Sequence, residues 1–164
     1  TGESGLNVVA LVPVTSAQDM FEAVSSRAKE QDMIIKAAAV ADYRPVAVAE
    51  NKIKKSPGDM SIALERTTDI LAWLGEHRRE GQVLCGFAME TEHMVEHAKE
   101  KLTRKRVDMI AANNVKVAGA GFGTDTNVVT LITEDGVEEL AKMSKEEVAS
   151  RIVDALLRLR ERRG

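Results

Sequence analysis

Apolar residues in this chain come in two alternating textures, short continuous runs and longer stretches with helical spacing. Val8 to Val14 is a β-branched run. Pro13 lies near its end, so it reads as a strand at a sheet edge or a strand end. Ser16-Ala17-Gln18-Asp19 offers a capping hydroxyl and an early carboxylate, the make-up of a helix start. Met20, Val24 and Ala28 follow at helical spacing, with Phe21 beside them. Met33 to Val40 is a second strand run, apolar apart from Lys36. Residues 41 to 59 carry two prolines, Gly58 and a lysine run, and read as a loop.

The same alternation continues. Met60 to Leu64 reads as a short strand, and Thr67-Thr68-Asp69 as the start of a helix bearing Ile70, Leu71, Trp73 and Leu74. Gln82 to Phe87 is a buried-strand run. Thr91 opens a helix with Met94, Val95, Ala98 and Leu102 on one face, and Asp108 to Ala112 is another strand, running into Asn113-Asn114. A glycine-rich loop with Gly119, Gly121 and Gly123 comes next. Val128 to Thr133 and Val137 to Leu140 then flank Asp135-Gly136, a hairpin signal. Ser144-Lys145-Glu146-Glu147 is a capping box for a last helix with Val148, Ile152, Ala155, Leu156 and Leu159. That helix ends in Arg160, Arg162 and Arg163, where cations suit the negative end of its dipole.

Continuous apolar strands separated by amphipathic helices predict an α/β fold: a doubly wound, mostly parallel, Rossmann-like sheet with a C-terminal hairpin and helix. Such sheets bind ligands outside the carboxyl ends of their strands. Ala41-Asp42-Tyr43 and Phe87-Ala88-Met89-Glu90 both fall at such ends.

Composition narrows the chemistry. At 164 residues the chain has the size of one domain. A net charge of -3 gives no global basic field for nucleic acid, and 3% aromatics gives few stacking platforms. Cys85 is the only cysteine, which excludes a disulfide framework and fits a reducing, cytoplasmic setting. No apolar run approaches the roughly 20 residues that span a membrane. The first residue is Thr1 and not Met, so the chain reads as part of a longer polypeptide.

Three features carry candidate chemistry. Ala37-Ala38-Ala39-Val40-Ala41-Asp42 is a small-residue strand ending in a loop with one acid, and Lys52, Lys54 and Lys55 follow about ten positions later. Small side chains let a ligand reach backbone N–H groups, and lysines on a loop can close over phosphate oxygens. A solvated lysine-rich loop is the plainer alternative. Lys101 and Lys105 lie one helical turn apart on one face, suited to gripping a base or phosphate, or simply exposed. His93-Met94-Val95-Glu96-His97 matches the H-x-x-E-H pattern of one zinc-peptidase class, against the plainer reading of a polar helix face. Gly119-Ala120-Gly121-Phe122-Gly123 precedes a strand and opens no helix, so it fails as a dinucleotide fingerprint. Cys85 sits mid-strand and reads as a small core residue.

Together the segments Ala37-Ala38-Ala39-Val40-Ala41-Asp42-Tyr43-Arg44-Pro45, Lys52-Ile53-Lys54-Lys55, Thr68-Asp69-Ile70-Leu71, Gly86-Phe87-Ala88-Met89-Glu90-Thr91, Ala98-Lys99-Glu100-Lys101, Lys105, Asp108, Ala112-Asn113 and Phe122-Gly123-Thr124-Asp125-Thr126-Asn127 resemble phosphopantothenoylcysteine synthetase. In most bacteria that ligase is the C-terminal half of a bifunctional coenzyme A biosynthesis protein whose N-terminal half is a flavin-dependent decarboxylase. The likeness runs through the whole chain in order.

The resemblance implies a CTP-dependent ligase with Mg²⁺, which joins 4′-phosphopantothenate to cysteine through an acyl-cytidylate and releases CMP and pyrophosphate. Flavin mononucleotide would enter only with a preceding decarboxylase half. It implies Lys52 as the catalytic lysine on a mobile flap and Asp42 as a nucleotide contact, direct or through the cation. Backbone groups of Lys36, Ala37 and Ala38 are implied to face CTP. Asp69, Ile70, Leu71 and Ala72 would line the nucleotide pocket, and Phe87, Lys101 and Lys105 would be further nucleotide contacts. No metal ligand is singled out. A homodimer through this domain is implied, with the hairpin after Gly123 as its source.

Four departures stand out. Residues 1–164 read as a single synthetase domain that starts about one βαβ unit into the family's pattern, and that unit carries a phosphate-binding loop. Such a chain would have weak or no activity alone. Met89 stands where alanine is common, Asn114 where aspartate is common, and Thr67-Thr68 where Asn-Pro is often seen. The alternatives are a non-catalytic nucleotide-binding or oligomerisation fragment, or a zinc metallopeptidase.

Overall fold

The computed structural model describes residues 10–49, 51–54, 58–90, 93–114 and 125–163. Helix α1 (Ala17–Ser25) begins where the sequence places it. Ser16 Oγ accepts from the Asp19 N–H, and the Asp19 carboxylate accepts from the backbone of Thr15 and Ser16 and the Thr15 hydroxyl. These donors stabilise the ionised form and hold Asp19 down at about 2. A 3-10 turn at Ala28–Glu30 leads into strand β1 (Met33–Lys36).

The main sheet has five strands in the order β1, β4 (Val83–Glu90), β5 (Met109–Asn114), β7 (Val129–Thr133) and β8 (Val137–Glu139). The first three are parallel, with Lys36 beside Gly86 and Ala88 beside Ala112. The last two run antiparallel through the Asp135-Gly136 hairpin, closed by the Gly136 carbonyl accepting from Thr133 N–H at 2.9 Å. Helices α2 (Ile70–His77) and α3 (Met94–Lys105) cover one face, and α4 (Lys145–Glu161) covers the other. Consecutive residues of β4 divide between two cores. Leu84 and Ala88 pack with Ile70, Leu71, Leu74, Ala98, Ile110 and Ile132, while Val83 and Cys85 pack with Met109, Leu131, Ile152 and Leu156. This strict alternation explains why the strands read as continuous apolar runs. Cys85 is fully buried, and burial pushes its thiol up to about 12, as expected of a core residue.

Three expectations are corrected. Residues 10 to 15 form no strand. Pro13 cannot donate to a ladder, and the exposed Leu11 and Val12 run past α1 without pairing to β1. The strand expected at Met60 to Leu64 lies later, as β3 (Leu64–Arg66), paired antiparallel to β2 (Tyr43–Pro45). That register is fixed from a distance, by Arg44 against Glu65 at 2.7 Å and by Thr67 N–H donating to the Asp42 carbonyl at 3.0 Å. The second strand is also shorter than expected, ending at Lys36, so Ala37 to Ala41 are free of the ladder. The last helix starts as expected, with the reciprocal Ser144–Glu147 capping box. Two-stranded β6 (Thr126–Asn127) and β9 (Met143–Ser144) bring the chain to it. The glycine-rich run at 119 to 123 lies outside the described residues, as do Thr91 and Lys55.

Asp108, at the entry to β5, is buried and accepts three donors: Leu84 N–H at 2.7 Å, Arg78 Nη1 at 2.8 Å and Arg163 Nη2 at 2.5 Å. It thus fastens the end of α2 and the chain beyond α4 to the sheet. Helices α2 and α3 meet at Gly75, where an added Cβ would strike the Lys105 carbonyl. Because the obstacle is backbone, no side-chain rearrangement relieves it. Gly75→Ala should therefore destabilise the fold by about 1–3 kcal/mol, although alanine ordinarily favours a helix. Urea denaturation measures the change, and an unchanged or higher midpoint would contradict the close approach.

Candidate nucleotide crevice

A crevice of about 350 Å³ opens at the carboxyl ends of β1 and β4. Its walls come from four separate pieces of chain: Lys36 with Ala38 to Asp42, Thr67 to Asp69 at the start of α2, Phe87 to Met89, and one face of α3 with Lys101, Arg104 and Lys105. The volume suits a small ligand. A larger hollow of about 910 Å³ runs along the outer edge of β1, but its lining is mainly aliphatic, with Val12, Val14, Met20, Val24 and Ile34. Charged chemistry belongs to the smaller one.

Three lysines converge there, each tethered to a different element. Lys36 Nζ turns back and donates to the Ala38 carbonyl at 3.0 Å, beyond the end of its own strand. Lys101 Nζ donates to the Phe87 carbonyl at 3.0 Å, near the end of β4. Lys105 pairs with Asp69, whose other carboxylate oxygen caps α2 by accepting from Ala72 N–H at 3.0 Å. The lining thus holds four cations, Lys36, Lys101, Arg104 and Lys105, against two carboxylates, Asp42 and Asp69. Burial, with Lys101 and Lys105 nearby, pulls Lys36 below its ordinary value, and Asp42 opposes this. Burial lowers Lys105 too, again against Asp42. An anion entering the crevice would relieve that mutual repulsion. Thr67 braces the Asp42 loop, its hydroxyl donating to the Ala41 carbonyl at 2.5 Å.

The sequence-derived site residues divide into two groups. Lys36, Ala38, Asp42, Asp69, Leu71, Phe87, Lys101 and Lys105 share the crevice. Ala37 faces the aliphatic hollow instead, and Ile70 is buried in the core. The N–H of Ala72 is committed to the Asp69 cap. Lys52 is exposed coil and is not part of the described lining. Sequence reasoning missed Arg104, which sits three residues after Lys101 on the same helical face. It also assigned Lys36 a backbone role only, whereas its side chain lines the crevice. His93 stands at a left-handed N-cap before α3, with Nδ1 3.1 Å from Glu96 Oε2, and its ring centre is 6.2 Å from that of His97. Among the described residues no group of three His, Cys, Asp or Glu side chains is arranged to hold a metal ion.

Comparison with known proteins decides the family. The family model for the DNA/pantothenate metabolism flavoprotein C-terminal domain matches residues 3–159. The chain belongs to this family. It is 47% identical over 154 residues to the coenzyme A biosynthesis bifunctional protein CoaBC of Bacillus subtilis, covering 93% of this chain. It spans 38% of that relative's length. Among solved structures, the C-terminal domain of a CoaBC protein superposes with a TM-score of 0.73 at 46% identity, covering 92% of this chain and 67% of that one. A Cab2 mutant in complex with phosphopantothenate-cysteine shares the fold, with a TM-score of 0.70 at 19% identity over 93% of this chain and 53% of that one. The mostly parallel α/β sheet inferred from the sequence is the fold of these neighbours.

The Asp69 carboxylate has two duties that substitution separates. Asp69→Ala removes the cap of α2 and should cost about 1 kcal/mol. Asp69→Asn keeps a capping oxygen and should stay within a few tenths of wild type, while freeing Lys105. Chemical denaturation of the two variants checks this, and equal losses would mean that the cap is not what Asp69 supplies.

Proposed function

We propose that this chain is the ligase part of a coenzyme A biosynthesis protein. It would join 4′-phosphopantothenate to cysteine at the expense of CTP. The observation that carries the reading is the convergence of Lys36, Lys101 and Lys105 with Asp42 at the carboxyl edge of the parallel strands, in a chain of this family. A crevice with surplus positive charge suits a triphosphate. The Cab2 neighbour's complex with phosphopantothenate-cysteine supports the substrate class.

The chemistry would run in two displacements. A carboxylate oxygen of phosphopantothenate attacks the α-phosphorus, the bond to the bridging oxygen breaks, and pyrophosphate leaves. The amine of cysteine then attacks the acyl carbon, the acyl–oxygen bond breaks, CMP leaves, and the ammonium proton passes to solvent. Neither displacement needs a side-chain nucleophile. The lysines and Arg104 hold the phosphates and offset the charge that builds on the leaving oxygens. Asp42, a hard oxygen donor beside them, fits a role in holding Mg²⁺, an ion that takes one or two carboxylates plus phosphate oxygens. Bound there, the ion would neutralise triphosphate charge.

Lys52 would join from outside. It is exposed, between β2 and β3, so its role requires that part of the chain to fold over the bound nucleotide as a lid. The assay combines phosphopantothenate, cysteine and CTP with the longest form of the protein and measures pyrophosphate release. Lys52→Gln should slow turnover at least about 100-fold and leave the thermal midpoint unchanged. Wild-type turnover in that variant would remove Lys52 from the mechanism.

The same segment bears the dimer proposal. Tyr43, Val46, Val48, Met60, Ile62 and Leu64 are exposed apolar side chains on and beside β2 and β3, a cover-seeking surface in a lone chain. A second copy would cover it, in preference to the β7–β8 hairpin, where β8 exposes only Val137 among large apolar residues. Sedimentation at high micromolar concentration should give a dimer that Ile62→Asp/Leu64→Asp dissociates, and a monomeric wild type would end this part of the reading. No helix among the described residues is long and apolar enough to cross a membrane. A cytoplasmic setting, and flavin only in a preceding decarboxylase part, complete the proposal.

A further inference from the structure

The opposite edge of the sheet carries a second concentration of positive charge that the ligase reading does not use. A cavity of about 380 Å³ lies between α3, the start of β5, the β7–β8 hairpin and the chain after α4. Four cations line it: Arg78, Lys99, Arg106 and Arg163. Its acids are Asp108 and the exposed Glu134. Asp108 lies beneath Arg78 and Arg163, which meet it through one nitrogen each, Nη1 and Nη2. The remaining guanidinium N–H groups are left to other partners. Lys99 and Arg106 are exposed and enter no ion pair among the described residues. Lys99, Thr103 and Arg106 stand at i, i+4 and i+7, so α3 presents one face here and another, with Lys101 and Lys105, to the nucleotide crevice.

Cations at helix C-termini are an ordinary complement to the dipole, and α2, α3 and α4 all end at this edge. That accounts for Arg78 at the C-cap of α2 and Arg163 just past α4. It does not account for Lys99, nearly two turns before the end of α3. Nor does it account for the backbone of Arg106. This residue caps α3 at φ 52 and ψ 45, a left-handed position where glycine or asparagine is at ease and a long side chain is strained. An arginine there secures nothing for the helix that glycine would not, since the capping bonds to Leu102 and Thr103 are made by its backbone N–H. Strain kept at an exposed cation beside a cavity points to use of the side chain.

We propose that this cavity is a second anion site, which takes a small phosphate-bearing molecule between Lys99, Arg106 and the free sides of Arg78 and Arg163. Guanidinium forks around a phosphate give paired, charge-assisted hydrogen bonds. The site stands apart from the crevice, so it is independent of the ligase reading and is tested without turnover.

Inorganic pyrophosphate is the probe, titrated into the full chain by calorimetry. In a Lys101→Ala/Lys105→Ala background, which removes two of the crevice's four cations, pyrophosphate binding should persist. Adding Lys99→Ala and Arg106→Gly should weaken it by at least about tenfold. Arg106→Lys, which keeps the charge, should retain most of the affinity. Arg106→Gly alone should raise the thermal midpoint without anion, because the backbone strain is gone, yet shrink the pyrophosphate-induced rise. This opposition separates loss of a ligand from loss of fold. Absence of pyrophosphate binding in the Lys101→Ala/Lys105→Ala background, or binding there that Lys99→Ala and Arg106→Gly leave unchanged, would overturn the proposal.

Discussion

Everything at the crevice depends on how near α2 and α3 come to each other. Gly75 has no side chain, so the backbone of α3 at Lys105 packs directly against α2. Gly86 does the same for the sheet, where an added Cβ would meet the Leu71 side chain that presses down from α2. The two contacts fix α2 in both directions, against its neighbour and against β4. Its N-terminal cap, Asp69, consequently lies within reach of the Lys105 ammonium, and its lead-in residue Thr67 reaches the Asp42 loop. The shape of the crevice is thus set by two missing side chains well inside the structure.

Each crevice lysine is held on an oxygen of the protein itself. Lys36 and Lys101 rest on carbonyls and Lys105 on a carboxylate. Such tethers keep like charges apart, and an anion that took their place would meet side chains already ordered, so little conformational entropy would be lost. The lowered affinity of Lys36 and Lys105 for their protons has the same origin: both ammoniums sit where water is scarce, and Lys36 also where cations are many.

Much of this was readable from the chain, and the part that was not has a physical explanation. Helix starts depend on a few adjacent residues, so Ser16–Asp19, Asp69 and Ser144–Glu147 announced themselves. Strands on both faces of a buried sheet are continuous apolar runs, and β4, β5 and β7 were legible for that reason. The β2–β3 pairing was displaced because Arg44–Glu65 and Thr67–Asp42 act across more than twenty residues. Spacing marked Lys101 and Lys105 as one face. Only the folded chain gave that face its neighbours, Arg104 and the folded-back Lys36. Lys52, the most conspicuous lysine in the pattern, stands apart because it lies on exposed coil that none of the described hydrogen bonds ties to the crevice.

Lys36, Asp69, Lys101 and Lys105 come from three stretches of chain that become neighbours only once the α1–α2–α3 side of the sheet has packed. No partly folded intermediate could offer the same grip. A molecule lodged among them would act as a bolt across three otherwise separable parts, and its affinity would serve as a gauge of their packing. Erosion of that core, even at residues such as Ile110 or Ala98 that touch no ligand, would surface first as slackened binding, before any loss of the fold.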